Sequence, residues 1–193
     1  MCNAVTARYP QVRPRRMAGV SMIELLVVLA IAAILLGVGT SSYKSITTTS
    51  RISGEINGLL GAMQYARSEA IKQGQNVVVC VSVNGTDCSG GNTAWNQGYI
   101  VFVDPTNTKT TGGNAALVLR AQSAFIGATP DTLTDGATSN ISFDREGLAL
   151  GLGAGATLAL HDPTNNAALT RCLAISNIGN VAVQQPSTLA TCT

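Results

Sequence analysis

"GVSMIELLVVL", residues 19–29, is an apolar run that carries one acid, Glu24, and it continues apolar to Val38. A carboxylate inside a hydrocarbon-spanning helix is expensive to bury, so such a residue marks a functional site by default. The alternative is a carboxylate that merely sits at the membrane edge. From Met22 to Val38 a helix rises about 25 Å, a marginal span that Val20, Ser21 and Gly39 extend. Arg8, Arg13, Arg15 and Arg16 precede it with no acid among them. The positive-inside tendency therefore keeps the N-terminus cytoplasmic and exports the remainder. An ordinary secretory signal has the same basic start, and "GVGTSS" (37–42) offers small residues for its cleavage. The apolar run alone leaves both readings open.

Composition agrees with a membrane-anchored, exported chain. Only 11% of the 193 residues are charged, low for a cytosolic enzyme, and the length fits one domain with appendages. The four leader arginines account for the positive charge. Without them 8 of the 12 basic residues remain against all 10 acids, and the formal charge moves from +2 to −2.

"RRMAGVSMIELLVVLAIAAILL" (15–36) resembles the prepilin leader of type IV pilins and type II secretion pseudopilins. In that family a basic leader ends in Gly, a dedicated peptidase cuts after it, and a Glu stands five residues into the mature chain. Those positions here are Gly19, Val20 and Glu24. The usual first mature residue is Phe or Met, so Val20 departs mildly from the pattern. The resemblance implies cleavage between Gly19 and Val20 and methylation of the Val20 amine by the prepilin peptidase. It also gives Glu24 an assembly role, attracting the methylated amine of a neighbouring subunit as helices bundle. Opposite charges attract strongly in a low dielectric, and pairing offsets part of the desolvation cost.

Further along, Ile52, Ile56, Leu59, Leu60, Met63, Ala66, Ala70 and Ile71 recur at three- and four-residue spacings, an amphipathic stripe. Lys72 and Gly74 make a helix C-terminal signal. The pattern predicts one helix over 20–74, with a transmembrane half at 20–40 and a second half packed on the chain's own sheet. The intervening 37–54 is poor helix material, rich in Gly and β-branched residues. Many pilins have a Pro near residue 41 that softens this stretch; Ser41 stands here, with Gly37 and Gly39 nearby.

Past Gly74 the period becomes two. "QNVVVCVSV" (75–83) puts Val77, Val79, Val81 and Val83 on one face, and the following "NG" signals a turn. Segments 98–104, 115–122, 140–144, 156–161, 171–176 and 180–183 are further strand candidates. A long helix followed by strands is an α+β arrangement, with 75–193 as a β-rich periplasmic domain. "ARSEAIKQGQNVVVC" (66–80), the "W..GYIVFVD" pattern from Trp95, "ISFDREG" (141–147) and "RCLAISNIGNVAV" (171–183) resemble the GspH/FimT group of minor pilins and pseudopilins. The implied fold is a long N-terminal helix cradling antiparallel strands in two sheets.

Cys80, Cys88, Cys172 and Cys192 lie in the exported domain and Cys2 in the leader. Four cysteines in an oxidising compartment read as two disulfides; the spacing does not support zinc. Three connectivities are open. Cys80–Cys88 is favoured because the "NG" turn brings Cys88 within hairpin reach, which leaves Cys172–Cys192 to tie down the tail.

No catalytic constellation stands out, and no cofactor or metal site. "GLALGLGAGATL" (147–158) has G-x-G pairs but no following helix, and reads as a Gly-rich hairpin loop. His161 and Asp162 read as a surface pair at a strand end, and Asp144, Arg145 and Glu146 as a solvated turn. Three roles compete: a minor pilin that initiates or caps a type IV pilus, a type II secretion pseudopilin, and a DNA-binding pilin. The partners implied are other major and minor pilins, the prepilin peptidase and the inner membrane. DNA is disfavoured: DNA-binding members carry Gly-Arg-x-Arg, whereas "GNVA" keeps Gly179 and puts Asn180 and Ala182 in place of both arginines. A patch from Lys109, Arg120 and Arg145 is the remaining route to phosphate binding.

Overall fold

The computed structural model describes residues 19–91, 94–125, 131–134, 138–153 and 155–185, without the side chains of 38–42. Helix α1 spans Met22–Gln73. Gly74, at φ +65°, closes it by donating its N–H to the Ala70 carbonyl at 3.0 Å, as the Lys72–Gly74 signal predicts. The helix runs unbroken through 37–54, against the local propensity. Propensity is a weak prior, and two of the threonines return their hydroxyls to the helix: Thr47 to the Lys44 carbonyl and Thr49 to that of Ser45. The chain divides into two compact units at Tyr43/Lys44, inside α1.

In the first unit Val20 and every Ile, Leu and Met of α1 up to Leu36 is at least half exposed. The expected transmembrane half at 20–40 runs into side chains outside the described set. Among the described residues no helix is long and apolar enough to cross a membrane.

The second unit contains two antiparallel sheets. The strands are β1 (Val77–Val81), β2 (Gly98–Val103), β3 (Val118–Ser123), β4 (Thr132–Thr134), β5 (Asn140–Phe143), β6 (Ala149–Leu150), β7 (Ala156–His161), β8 (Arg171–Ile175) and β9 (Val181–Gln184). One sheet has the order β3-β2-β1-β5-β6 and the other β4-β7-β8-β9. The stripe on α1 packs into a core that takes Val77, Val79, Val101 and Phe143 from the first sheet and Leu133, Leu158, Leu173 and Val181 from the second. Ile52, Ile56, Leu59, Met63, Ala66 and Ala70 are all buried as the spacing predicts, joined by Ala62. Ile71 is 52% exposed and lies at the margin of the stripe.

Strand β1 departs from simple alternation, for all five of its residues are buried. The odd valines face the helix, while Val78 and Cys80 join Ile100 and Phe102 in a second cluster. Cys88 packs on that cluster, so the loop after β1 covers what would otherwise be a wet face. Val83, expected on the buried face, lies beyond the strand and is 53% exposed. The Gly-rich stretch 147–158 divides: Gly147 lies in the β5–β6 turn, and the part after β6 links one sheet to β7 in the other rather than closing a hairpin. A Cβ on Gly155 would meet the Ile175 carbonyl oxygen at 2.7 Å.

Strands β2 and β7 are each followed by the same four residues, Asp-Pro-Thr-Asn (104–107 and 162–165), with Asn107 and Asn165 at φ +54° and +52°. In each copy the aspartate is buried and accepts the N–H groups of the turn that follows. Asp162 is therefore not the surface residue its sequence position implies. Burial alone would raise its carboxyl, but hydrogen bonds from Thr164 and Asn166 outweigh it and hold the group below its ordinary range.

Candidate functional site

The residues expected to control processing and assembly sit together at the start of α1. Gly19 has no heavy atom within 4 Å of where a side chain would begin. Val20 is exposed, and Glu24 occupies the first helical turn, where a negative charge complements the helix dipole. Around it Met22, Ile23, Leu25 and Leu26 are also exposed. An exposed apolar surface of this length marks an interaction face, and a carboxylate within it needs a cationic partner once water is excluded. Residues 1–18, with the four arginines and Cys2, lie outside the described set.

Cys80 and Cys88 form a disulfide with Cα atoms 5.6 Å apart. It does not close a simple hairpin. The strand partner of Cys80 is Ile100, and the loop carrying Cys88 folds back on β1, where Ser82 and Ser89 make an isolated parallel bridge. Asp87 accepts bonds from Cys88, Thr110 and Thr111, fixing the loop to the segment after β2. Cys172 is disulfide-bonded as well, and Cys192, its expected partner, lies outside the described residues.

Three of the quoted sequence motifs converge on Arg67. Its Nε donates to the Gly147 carbonyl at 3.0 Å and its guanidinium NH2 to the Ile178 carbonyl at 3.3 Å. The α1 side chain thus ties the β5–β6 turn of one sheet to the β8–β9 turn of the other. Gly179, at φ +75°, is buried against Gly147. In the "GNVA" stretch Asn180 is exposed and Ala182 half-buried, so the turn presents no cation of its own. Of the alternative patch, Arg120 stands apart from Arg145. Arg120 lies on edge strand β3 and Arg145 just after β5, three inter-strand spacings or roughly 14 Å across the sheet. Arg145 is paired with Glu146 at 2.9 Å.

Sequence reading missed a cluster on the inner half of α1. Arg51 holds the wholly buried Asp131 with two bonds, Nε–Oδ2 at 2.9 Å and NH2–Oδ1 at 2.6 Å. Glu55, one turn on, is pushed up to about 8, first by burial, then by its hydrogen bond to Asp131 and by that residue's charge, with Arg51 opposing. Arg51 and Glu55 stand four apart beside Ile52 and Ile56, a visible cue, but nothing in the sequence links them to a residue eighty positions away.

Among the described residues no group of three His, Cys, Asp or Glu is placed to hold a metal ion. His161 ends β7 with Nδ1 3.2 Å from the Thr170 hydroxyl.

Comparison with known proteins matches two family models. Residues 55–179 match "Type II transport protein GspH" and residues 14–40 match "Prokaryotic N-terminal methylation motif". No curated protein matches the chain. Among solved structures the chain is similar to a type IV minor pilin, FimU, of Pseudomonas aeruginosa PAO1, in two crystal forms. One is 23% identical with a TM-score of 0.56, covering 74% of this chain and 94% of that one; the other is 21% identical with a TM-score of 0.51, covering 70% and 94%. At these identities the likeness is one of fold: a long helix packed on antiparallel sheets.

Proposed function

From the premise that this chain belongs to the GspH family of pilins and pseudopilins, we propose that it is a minor pilin that helps to initiate or cap a type IV pilus. Members of this family are structural subunits of a pilus or a type II secretion system, processed by prepilin peptidase and assembled with other pilins. The observation that carries the proposal is the pairing of an N-terminal methylation motif with a pilin-fold domain. The motif leaves Glu24 and an exposed apolar helix at the head of the mature chain. Inner-membrane anchoring through 20–40, with the domain from residue 75 in the periplasm, follows from the same reading. The minor-pilin choice over the secretion reading is supported by the fold shared with a type IV minor pilin. The family model's own name keeps the pseudopilin as the second reading.

The test is to shear and purify surface fibres and to determine the intact mass of the chain within them. A species beginning at methylated Val20 is expected. A product beginning after residue 37 would remove the pilin reading, and a processed chain confined to secretion complexes would favour the second one.

A further inference from the structure

The dipeptide Asn-Gly occurs twice in the chain, at 57–58 and 84–85, in opposite settings. Asn57 lies inside α1, where the Gly58 amide belongs to the helix ladder. Asn84 stands exposed in the loop that Cys80 and Cys88 close. Its carboxamide oxygen accepts the N–H groups of Thr86 at 3.0 Å and Asp87 at 3.1 Å, and the Ser82 hydroxyl at 3.0 Å. The Gly85 N–H donates in turn to that same Ser82 Oγ, also at 3.0 Å. We propose that Asn84 modifies itself. The Gly85 nitrogen closes onto its side-chain carbonyl carbon, ammonia leaves, and water opens the resulting succinimide to aspartate or isoaspartate.

The loop supplies each part of that reaction. Hydrogen bonds reaching forward to Thr86 and Asp87 fold the carboxamide over the Asn84–Gly85 peptide and bring its carbon back towards the Gly85 nitrogen. Ser82, buried beneath the turn, accepts the proton of Gly85 N while passing its own to Asn84 Oδ1, a general acid and base in one hydroxyl. The Thr86 and Asp87 N–H groups already point at the oxygen on which charge develops. Gly85 has no side chain to obstruct the approach. The bond formed is Gly85 N to Asn84 Cγ and the bond broken is Cγ–Nδ2; the proton held on the oxygen leaves with the ammonia. Water is the only co-reactant. The product carries a carboxylate in place of a neutral amide, and as isoaspartate it lengthens the backbone by a methylene. Asp87, whose carboxylate fixes the loop to Thr110 and Thr111, then loses the acceptor of its own N–H. The cover over Val78, Ile100 and Phe102 is thus loosened by age, with the disulfide intact.

The experiment ages the freshly purified chain in detergent micelles near neutral pH, beside the same chain unfolded in guanidinium with its disulfides reduced. Peptide maps score aspartate and isoaspartate at Asn84 and at Asn57, so the second Asn-Gly serves as an internal reference. The folded chain should convert Asn84 roughly tenfold faster than the unfolded chain does, because only the fold assembles the relay and the donors. Asn57 should stay unmodified in the folded chain, and unfolding should make the two sites react alike. Ser82→Ala keeps both reacting residues and removes the relay; conversion of its Asn84 should drop to the unfolded rate or below. Amide exchange of β1 establishes that the variant is folded, and the two states of the unaltered chain decide the matter if it is not. Conversion of Asn84 no faster in the folded chain than in the unfolded one would overturn the proposal. An unchanged rate in a folded Ser82→Ala chain would overturn it equally.

Discussion

The carbonyl oxygen of Gly147 occupies the space that a side chain on Gly179 would need. Gly179 is therefore retained for packing, independently of any nucleic-acid motif it resembles. Its φ of +75° adds a second penalty for any other residue. Gly179→Ala is expected to cost about 2–4 kcal/mol, by backbone strain and displacement of the β5–β6 turn. Urea unfolding checks it; a cost under about 0.5 kcal/mol, the level of an ordinary surface substitution, would show that the turns yield easily.

Glu24→Ala should leave the β-sheet domain folded, because Glu24 lies in the other compact unit. On the proposed assembly role, what the variant loses is the attraction to a neighbour's amine. Incorporation into fibres should fall roughly tenfold, equivalent to about 1.4 kcal/mol of subunit contact. Processed protein should still accumulate in the membrane. Quantitative blotting of sheared fibres against membranes reads the ratio, and an unchanged ratio counts against the pairing.

Replacing Cys80 and Cys88 together by Ala removes a crosslink with a sequence separation of 8. The chain-entropy model gives a loss of about 2.5 kcal/mol, and the cover over Val78, Ile100 and Phe102 should loosen with it. Thermal unfolding and amide exchange of β1 and β2 would register both effects. Unaltered exchange in those strands would mean that the loop stays in place without its bond.

The carboxyl of Glu55 is raised on folding from 4.5 to about 8. Between those values the folded chain holds a proton that the unfolded chain has released. The stability this contributes is complete below pH 4.5 and declines as pH rises through about 8. Glu55→Gln has no such titration. Melting temperatures of the two should agree below about pH 4.5, diverge progressively as pH rises to about 8 and stay apart above it, with the Gln variant the more stable. Parallel pH profiles would show that Glu55 ionises in the fold without cost.

No salt-sensitive DNA shift is expected at low micromolar protein and about 150 mM salt, where non-specific binders have dissociation constants of roughly 10⁻⁴ to 10⁻⁶ M. The turn at Gly179–Asn180 carries no cation, Arg145 is engaged with Glu146, and Arg120 is set apart on an edge strand. A shift that weakens steeply with salt would favour DNA capture as the function.

The parts of this fold legible in sequence are those with local causes. The stripe from Ile52 to Ala70, the Gly74 stop and seven of the strands follow from period and turn chemistry that neighbouring residues determine. Strands β4 and β6 were invisible because they are three and two residues long, too short to show any period. Burial on both faces of β1 depends on a loop folding back, which alternation along one strand cannot reveal. The N-terminal methylation motif is readable because it is sequential: Gly19, Val20 and Glu24 lie within six residues. The Arg51–Glu55–Asp131 cluster was not, since its charges meet only when β4 docks on α1.

The contact that Arg67 makes with two turns has a mechanical consequence. Among the described residues the two sheets share no ladder, so a pull applied along α1 would need its own route into each. A single guanidinium grips the β5–β6 turn and the β8–β9 turn together, while Ala149 N–H and the Asn177 carbonyl stitch the same two turns at 2.9 Å. Force from the helix is thereby divided between both sheets in parallel. Neither sheet has to peel before the other feels the pull, and that spreads the stress over a fold with only short strands to resist it.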